Sequence, residues 1–156
     1  NWQLEARATQ VHNGRPHSSS IRRDEHGFAL RELASKVTNF HDKAAVLDTY
    51  YAEVEQFIKD ETGAAKVVAF DYNNRSASKE DRKKTGAFPP ALFAHADYTT
   101  KSAAQRVRDL LPEPEASERL ARRHVFLNVW RPIRGRLKMM HWRYATHRAS
   151  RRATWR

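Results

Sequence analysis

Hydrophobic residues recur at helical spacing over the longest patterned stretch of the chain, from Asp42 to Thr62. Gly63 follows directly and can adopt the left-handed backbone conformation that ends a helix. We therefore predict one amphipathic helix here, with its aromatic face packed into the core. Its apolar positions lie three and four residues apart: Val46, Leu47, Tyr50, Val54, Phe57 and Ile58.

Shorter apolar runs predict strands. Segments Lys66–Tyr72 and His124–Ile133 are rich in β-branched and aromatic residues, which favour strands. The apolar pattern of Gly27–Phe40 fits either a strand with a bend or a short helix, and we favour the strand.

Two further helices are predicted. Ser102 is a suitable N-cap for a helix that reaches Leu111 before Pro112. A short helix is also expected from Glu115 to Arg123. The segment Ser76–Thr85 is polar and charged, so we predict a surface loop there.

Composition limits the class of protein. The chain has 156 residues, of which 40% are hydrophobic, which is enough for one domain with an apolar core. It contains no cysteine, so His, Asp and Glu are the side chains left to bind a metal. No stretch approaches the roughly 18 apolar residues of a membrane span, and the first residues do not form a secretory signal. We expect a soluble, cytoplasmic protein.

The net charge of +11 is concentrated at one end of the chain. Residues 131–156 hold nine Lys and Arg and no acidic residue, whereas the rest has 20 basic and 18 acidic residues. A protein that binds nucleic acid usually carries a continuous basic surface. The nearly neutral body therefore makes a nucleic-acid partner the less favoured hypothesis.

The string His95-Ala96-Asp97 is the first part of the two-histidine, one-carboxylate triad of nonheme iron(II) oxygenases. Iron(II) accepts both ligand types, and a triad on one face leaves positions for a cosubstrate and dioxygen. On a strand, residues i and i+2 project to the same side, so His95 and Asp97 can converge on one metal. A His-x-Asp pair alone is a weak signal, because such pairs often occur by chance.

Further strings strengthen this signal because they agree, in the same order, with one family. Over residues 10–135 the chain resembles the AsaB-like and CmcJ-like hydroxylases and desaturases of fungal secondary metabolism. The most specific combination is Asn128-Val129-Trp130-Arg131-Pro132-Ile133 downstream of His95-Ala96-Asp97-Tyr98-Thr99. The other matching strings are Val11-His12-Asn13-Gly14-Arg15, Gly27-Phe28, Tyr50-Tyr51, Glu53-Val54-Glu55, Thr62-Gly63-Ala64, Val68-Ala69-Phe70-Asp71, Arg75 and Pro90-Ala91.

The resemblance implies an α+β fold: an incomplete double-stranded β-helix, of the jelly-roll or cupin type, with flanking helices. It also implies an oxidoreductase that uses iron(II), 2-oxoglutarate and dioxygen to hydroxylate or desaturate a small secondary metabolite. His95 and Asp97 match the first two iron ligands, and no catalytic residue is expected beyond the metal ligands. The family's second histidine ligand and its 2-oxoglutarate-binding arginine have no identifiable match, so we expect this chain to be inactive.

Three residues in the two most specific strings are candidates for contacting substrate or cosubstrate: Tyr98, Asn128 and Arg131. Arg131 could bind an anion or could be structural. We favour a structural role, because Asn128 and Trp130 lie on the same predicted strand.

The sequence after residue 136 departs from the family. Members continue with a segment resembling Asp-x-Pro-Leu-Ala-Leu-Cys-Asp-x-x-Ser-Val, and translating the codons allowed from Lys138 two nucleotides later restores a close match. We therefore hypothesise a frameshift or misplaced exon boundary near Gly135 to Lys138, which would make His141 and His147 accidental. On this hypothesis residues 1–136 are the N-terminal part of an oxygenase domain, and residues 137–156 are an irregular basic tail.

Two alternatives remain open. Taken literally, the tail interleaves Arg residues with Trp142, Tyr144 and Trp155, which suits phosphate contacts and base stacking in RNA binding. The chain could instead be a noncatalytic remnant or partner-binding fragment, whose open sheet edges favour association.

Overall fold

The computed structural model describes residues 8, 10, 12–91 and 95–135. The chain divides into two compact units, one formed by Asn1–Ala34 with His141–Arg156 and the other by Ser35–Met140. The basic tail predicted for residues 137–156 lies outside the described residues, and so does the RNA-binding alternative that depends on it.

The first unit contains two short helical turns. A 3-10 turn spans Arg15–His17, and helix α1 spans Arg23–His26. Gly27 ends α1 with a φ of 82°, a left-handed conformation that residues with a side chain rarely adopt. Ile21, which lies between the two turns, is the buried apolar residue of the described part of this unit.

The first helical stretch of the second unit runs continuously from Lys43 to Thr62, which confirms the helix predicted from the hydrophobic pattern. It consists of α2 (Lys43–Ala45), a π-helical turn (Val46–Tyr50) and α3 (Tyr51–Thr62). The Asp42 carboxylate accepts a hydrogen bond from the Ala45 backbone at 3.2 Å and caps the start. Gly63, with a φ of 67°, ends the stretch as predicted.

Three shorter helices follow: α4 (Lys79–Thr85), α5 (Thr100–Leu110) and α6 (Glu115–Leu120). The two further helices that we predicted are confirmed, although α5 begins earlier and α6 ends earlier than expected. Thr99 is the N-cap of α5, and Ser102 completes a reciprocal capping box with it. No helix in the described ranges is long and apolar enough to cross a membrane.

The prediction of a surface loop at Ser76–Thr85 is wrong, because α4 occupies most of it. Ser78 accepts a hydrogen bond from the Asp81 backbone as N-cap, and Gly86 ends the helix with a φ of 71°. Glu80 and Asp81 lie in the first turn and three basic residues lie in the last, which complements the helix dipole. The capping and charge pattern was the usable signal, since the segment has no apolar stripe.

The predicted α+β fold with an incomplete double-stranded β-helix is also wrong for the residues that the structure describes. These residues form helices and non-helical segments, and their β-structure is one parallel bridge between Arg75 and Phe88. The three runs predicted as strands, residues 27–40, 66–72 and 124–133, form none. A strand requires backbone hydrogen bonds to a neighbouring segment, and β-branched composition alone does not supply that neighbour.

Side chains rather than a backbone ladder hold the segment 66–70 in the second unit. The backbone N–H of Ala69 donates to Glu55 Oε1 on α3 at 2.8 Å. Lys66 Nζ lies 2.8 Å from both carboxylate oxygens of Glu115 on α6. These contacts hold the backbone on the N-terminal side of Phe70 against α3 and α6.

Glu53 on α3 ties the helix to the segment before it. Ser35 Oγ donates to Glu53 Oε2 at 2.5 Å, and the Lys36 backbone N–H donates to Oε1 at 2.8 Å. These hydrogen bonds, with smaller contributions from the charges of Lys36 and Arg131, hold the pKa of Glu53 below its usual range.

Substituting Glu53→Gln is expected to make the free energy of unfolding fall less steeply as the pH is lowered. A carboxyl whose pKa is lowered by folding stabilises the protein above its unfolded pKa of about 4.3, and this contribution disappears as the pH falls through the folded pKa. Urea midpoints measured from pH 7 to pH 3 should therefore fall less steeply in the variant. Parallel pH profiles for the two proteins would show that the Ser35 and Lys36 contacts do not stabilise the charged form.

Candidate metal centre

His95 and Asp97 bring a nitrogen and an oxygen to one place. His95 Nε2 lies 3.4 Å from Asp97 Oδ1, and the side chains are 38% and 48% exposed. First-row metals bind imidazole nitrogen and carboxylate oxygen at about 2.0–2.2 Å, so two such ligands at right angles stand about 3 Å apart. The observed separation is close to this value. The separation is compatible with one shared metal ion after a small adjustment, although residues 95–97 do not form the strand on which the predicted convergence rested. Their role as ligands stays a prediction.

Asn128 contacts the same carboxylate from a distant part of the chain. Its side-chain amide Nδ2 donates to Asp97 Oδ2 at 2.6 Å across a sequence separation of 31 residues. The two oxygens of Asp97 thus face different groups: Oδ1 faces His95, and Oδ2 is held by Asn128. This places Asn128 against a proposed metal ligand, whereas the sequence assigned it to substrate or cosubstrate.

An aromatic cluster of Phe70, Tyr98 and Phe126 lies beside these polar contacts. The Tyr98 and Phe126 rings are stacked with centroids 4.5 Å apart, and Phe70 meets both edge-on at 6.5 and 6.0 Å. The Arg106 guanidinium of α5 lies 5.5 Å from the centre of the Phe70 ring. Such ring pairs contribute roughly 0.5–1.5 kcal/mol each beyond the area that they bury. Tyr98, another predicted substrate contact, is therefore engaged in packing.

The aromatic contact and the polar contact join the same two segments of the chain. Phe126 meets Tyr98, and Asn128 meets Asp97. Two side-chain contacts therefore join residues 97–98 to residues 126–128. Immediately after this contact Thr99 caps α5, which anchors the end of the first segment.

Arg131 makes a different set of contacts. Its guanidinium lies over the rings of Phe40 and Tyr50, 4.8 and 5.4 Å from their centres. Its charge also contributes to the lowered pKa of Glu53. Arg131 Nε and Nη1 are buried and have no hydrogen-bond partner in the described part of the chain. The cation–π contacts and the nearby Glu53 charge support a structural role, and the predicted contact with substrate or cosubstrate stays untested.

A complete metal triad is not found within the described residues. Residues 8, 10, 12–91 and 95–135 contain no group of three His, Asp or Glu side chains that could hold one ion. Within the described residues His95 and Asp97 are a pair, and their assignment to two positions of a three-ligand site stays a prediction. The sequence did not identify Phe70 and Phe126 as the rings that pack against Tyr98, next to Asp97. The alternation of Phe126 with Asn128 in one apolar run was the available signal.

Comparison with known proteins identifies the family. A sequence model described as an oxidoreductase/YMDC permease-like domain matches residues 1–148. The chain therefore belongs to this oxidoreductase family.

Curated relatives confirm the predicted resemblance to fungal hydroxylases and desaturases. A hydroxylase/desaturase of Cercospora beticola is 31% identical over 141 residues, covering 83% of this chain and 44% of the relative. An alpha-ketoglutarate-dependent dioxygenase of a fungal species is 31% identical over 121 residues, covering 75% and 44%. An Fe(II)/2-oxoglutarate-dependent dioxygenase of Aspergillus novofumigatus is 33% identical over 129 residues, covering 80% and 45%. The chain thus spans less than half the length of these relatives.

Proposed function

We propose that this chain is the N-terminal, iron-binding part of an iron(II)- and 2-oxoglutarate-dependent oxygenase that hydroxylates or desaturates a small secondary metabolite. The observation that carries the proposal is the 3.4 Å approach of His95 Nε2 to Asp97 Oδ1. Relatives named as dioxygenases of this cofactor class support it. In this proposal residues 1–136 belong to the oxygenase domain, and residues 137–156 are proposed as a tail, although the family model continues to residue 148.

The side chains present would hold one edge of the iron coordination sphere. His95 would supply a neutral imidazole nitrogen and Asp97 one carboxylate oxygen, which are ligands that iron(II) accepts. Bound iron(II) with 2-oxoglutarate and dioxygen would supply the oxidation of a carbon–hydrogen bond. The chain's own contribution is to orient the two ligands, for which the aromatic cluster provides a fixed base.

The 156-residue chain alone is expected to convert no 2-oxoglutarate, because the second histidine ligand and the 2-oxoglutarate-binding arginine of the family it resembles have no identifiable match in its sequence. Succinate formation with iron(II), 2-oxoglutarate and dioxygen should equal that of a protein-free control. Iron-dependent succinate formation above the control would contradict the assignment as an incomplete site.

A chimera tests the positive part of the proposal. Residues 1–135 would replace the matching part of the Aspergillus novofumigatus dioxygenase, with Asp97 retained in one version and changed by Asp97→Ala in the other. We expect iron-dependent succinate formation only when Asp97 is retained. Equal turnover by the two versions would contradict the proposed role of Asp97. A folded chimera that binds iron as tightly as the intact relative and forms no succinate would contradict the oxygenase assignment.

A further inference from the structure

The two oxygens of the Asp97 carboxylate contact two different residues. Oδ1 lies 3.4 Å from His95 Nε2, and Oδ2 accepts the 2.6 Å hydrogen bond from Asn128 Nδ2. The second contact is short, as expected when a donor meets an ionised acceptor. An unrestrained carboxylate can rotate and bind a metal through one or both oxygens. The Asn128 hydrogen bond occupies one oxygen and fixes which of the two faces His95.

We propose that Asn128 is a positioning residue that holds Asp97 as a one-oxygen metal ligand, with Oδ1 directed to the metal and Oδ2 kept by the amide. This inference rests on the proposed function, since it concerns the same metal. Its consequence is an additional free coordination position, because a carboxylate that binds through one oxygen occupies one position instead of two. Hydrogen bonds of this kind to metal ligands typically change metal affinity by about 10–100-fold.

The aromatic cluster helps to hold the side-chain amide of Asn128 next to the Asp97 carboxylate. Phe126 stacks on Tyr98, which directly follows Asp97, and Asn128 lies two residues beyond Phe126. Both contacts join the same two segments, so the stack brings the amide to the carboxylate before any metal is bound. The side chain therefore loses little additional freedom when Asp97 becomes a ligand.

The chemistry of asparagine suits this position. The carboxylate can only accept, so the Asn128 group that faces it must be the NH₂ and not the carbonyl. An aspartate here would oppose Asp97 with a second negative charge and compete for the metal. A leucine has nearly the same shape and cannot donate. Asn128→Leu thus removes the hydrogen bond while retaining the outline of the side chain.

The test is a Co(II) titration of the full 156-residue chain, followed by visible absorption. Asn128→Leu and Asn128→Ala are each expected to weaken Co(II) binding at least about 10-fold and to change the absorption band as Asp97 binds through both oxygens. Leu127→Ala, which alters the neighbouring half-exposed side chain, is the matched control and should leave both readouts unchanged. Thermal unfolding by circular dichroism checks that the variants fold.

His95→Ala and Asp97→Ala separate this inference from the proposed function. If neither substitution alters Co(II) binding, the metal site itself is contradicted. If both weaken binding while the two Asn128 variants match the unsubstituted chain in affinity and absorption, the positioning role is overturned and the metal site stands. Asn128 is exposed, so its substitution should not prevent folding. If both Asn128 variants failed to fold, the proposal that the residue acts only by holding Asp97 would be overturned.

Discussion

His95→Ala is expected to weaken Co(II) binding to this chain by more than about 100-fold, and Asp97→Ala by a similar factor. Loss of a group that only supports a ligand typically costs about 10–100-fold, and loss of a ligand should exceed that. Each substitution removes one of the two ligands that the described residues bring together, and within those residues no third His, Asp or Glu joins the pair. Isothermal titration with Co(II) gives the dissociation constants.

His124→Ala is the control for this prediction. His124 is exposed, and its Nδ1 lies 3.0 Å from the Arg122 carbonyl oxygen. Its removal should leave Co(II) affinity unchanged. Equal losses on removing His95 and His124 would indicate nonspecific binding to surface imidazoles, and would contradict a site made by His95 and Asp97.

Phe126→Ala is expected to lower the free energy of unfolding by about 2–3 kcal/mol. Replacing a fully buried phenylalanine by alanine costs about 3–5 kcal/mol. Phe126 is only partly buried, so we expect a loss at the lower end of this range or slightly below it. The substitution removes the stack on Tyr98 and the edge contact with Phe70. Urea denaturation followed by circular dichroism measures the change.

The neighbouring Val125 provides a matched control, since it is 66% exposed. Val125→Ala should change the free energy of unfolding by less than about 0.5 kcal/mol. Phe126→Ala should in addition weaken Co(II) binding, because the stack sets the register of Asn128 against Asp97. A destabilised Phe126 variant with unchanged metal affinity would show that the aromatic cluster and the ligand pair are independent.

The helical elements could be predicted because their signals are local. The stretch from Lys43 to Thr62 follows from apolar residues at helical spacing and from Gly63 directly after it. Helix α5 follows from its capping residues, although Thr99 takes the role assigned to Ser102. Helix α4 was missed because its determinants are a cap, charges and a terminal glycine, without an apolar face.

The non-helical segments could not be predicted in the same way. Segments 66–72 and 124–133 have the composition of strands, yet a strand exists only when another segment pairs with its backbone. In the described part of the chain, side chains such as Glu55 and Glu115 hold the first of these segments instead. No local feature of the sequence distinguishes these two outcomes.

The candidate site likewise contains local contacts, which could be predicted, and long-range contacts, which could not. His95 and Asp97 are two residues apart, so their approach follows from local geometry. The contact of Asn128 with Asp97 and the stack of Phe126 on Tyr98 join positions about 30 residues apart, and depend on how the chain folds. The sequence could identify Asn128 and Tyr98 as parts of specific strings, whereas their present contacts required the structure.

Electron spin echo spectroscopy of the Mn(II)-loaded chain tests most directly whether His95 and Asp97 hold one metal ion together, because it detects the nitrogen of a coordinated imidazole. The measurement uses the double variant His141→Ala with His147→Ala, which removes the histidines of the tail. We predict an imidazole nitrogen signal in this double variant, and its loss when either His95→Ala or Asp97→Ala is added. Absence of the signal in the double variant, or its persistence after His95 is removed, would contradict the metal site.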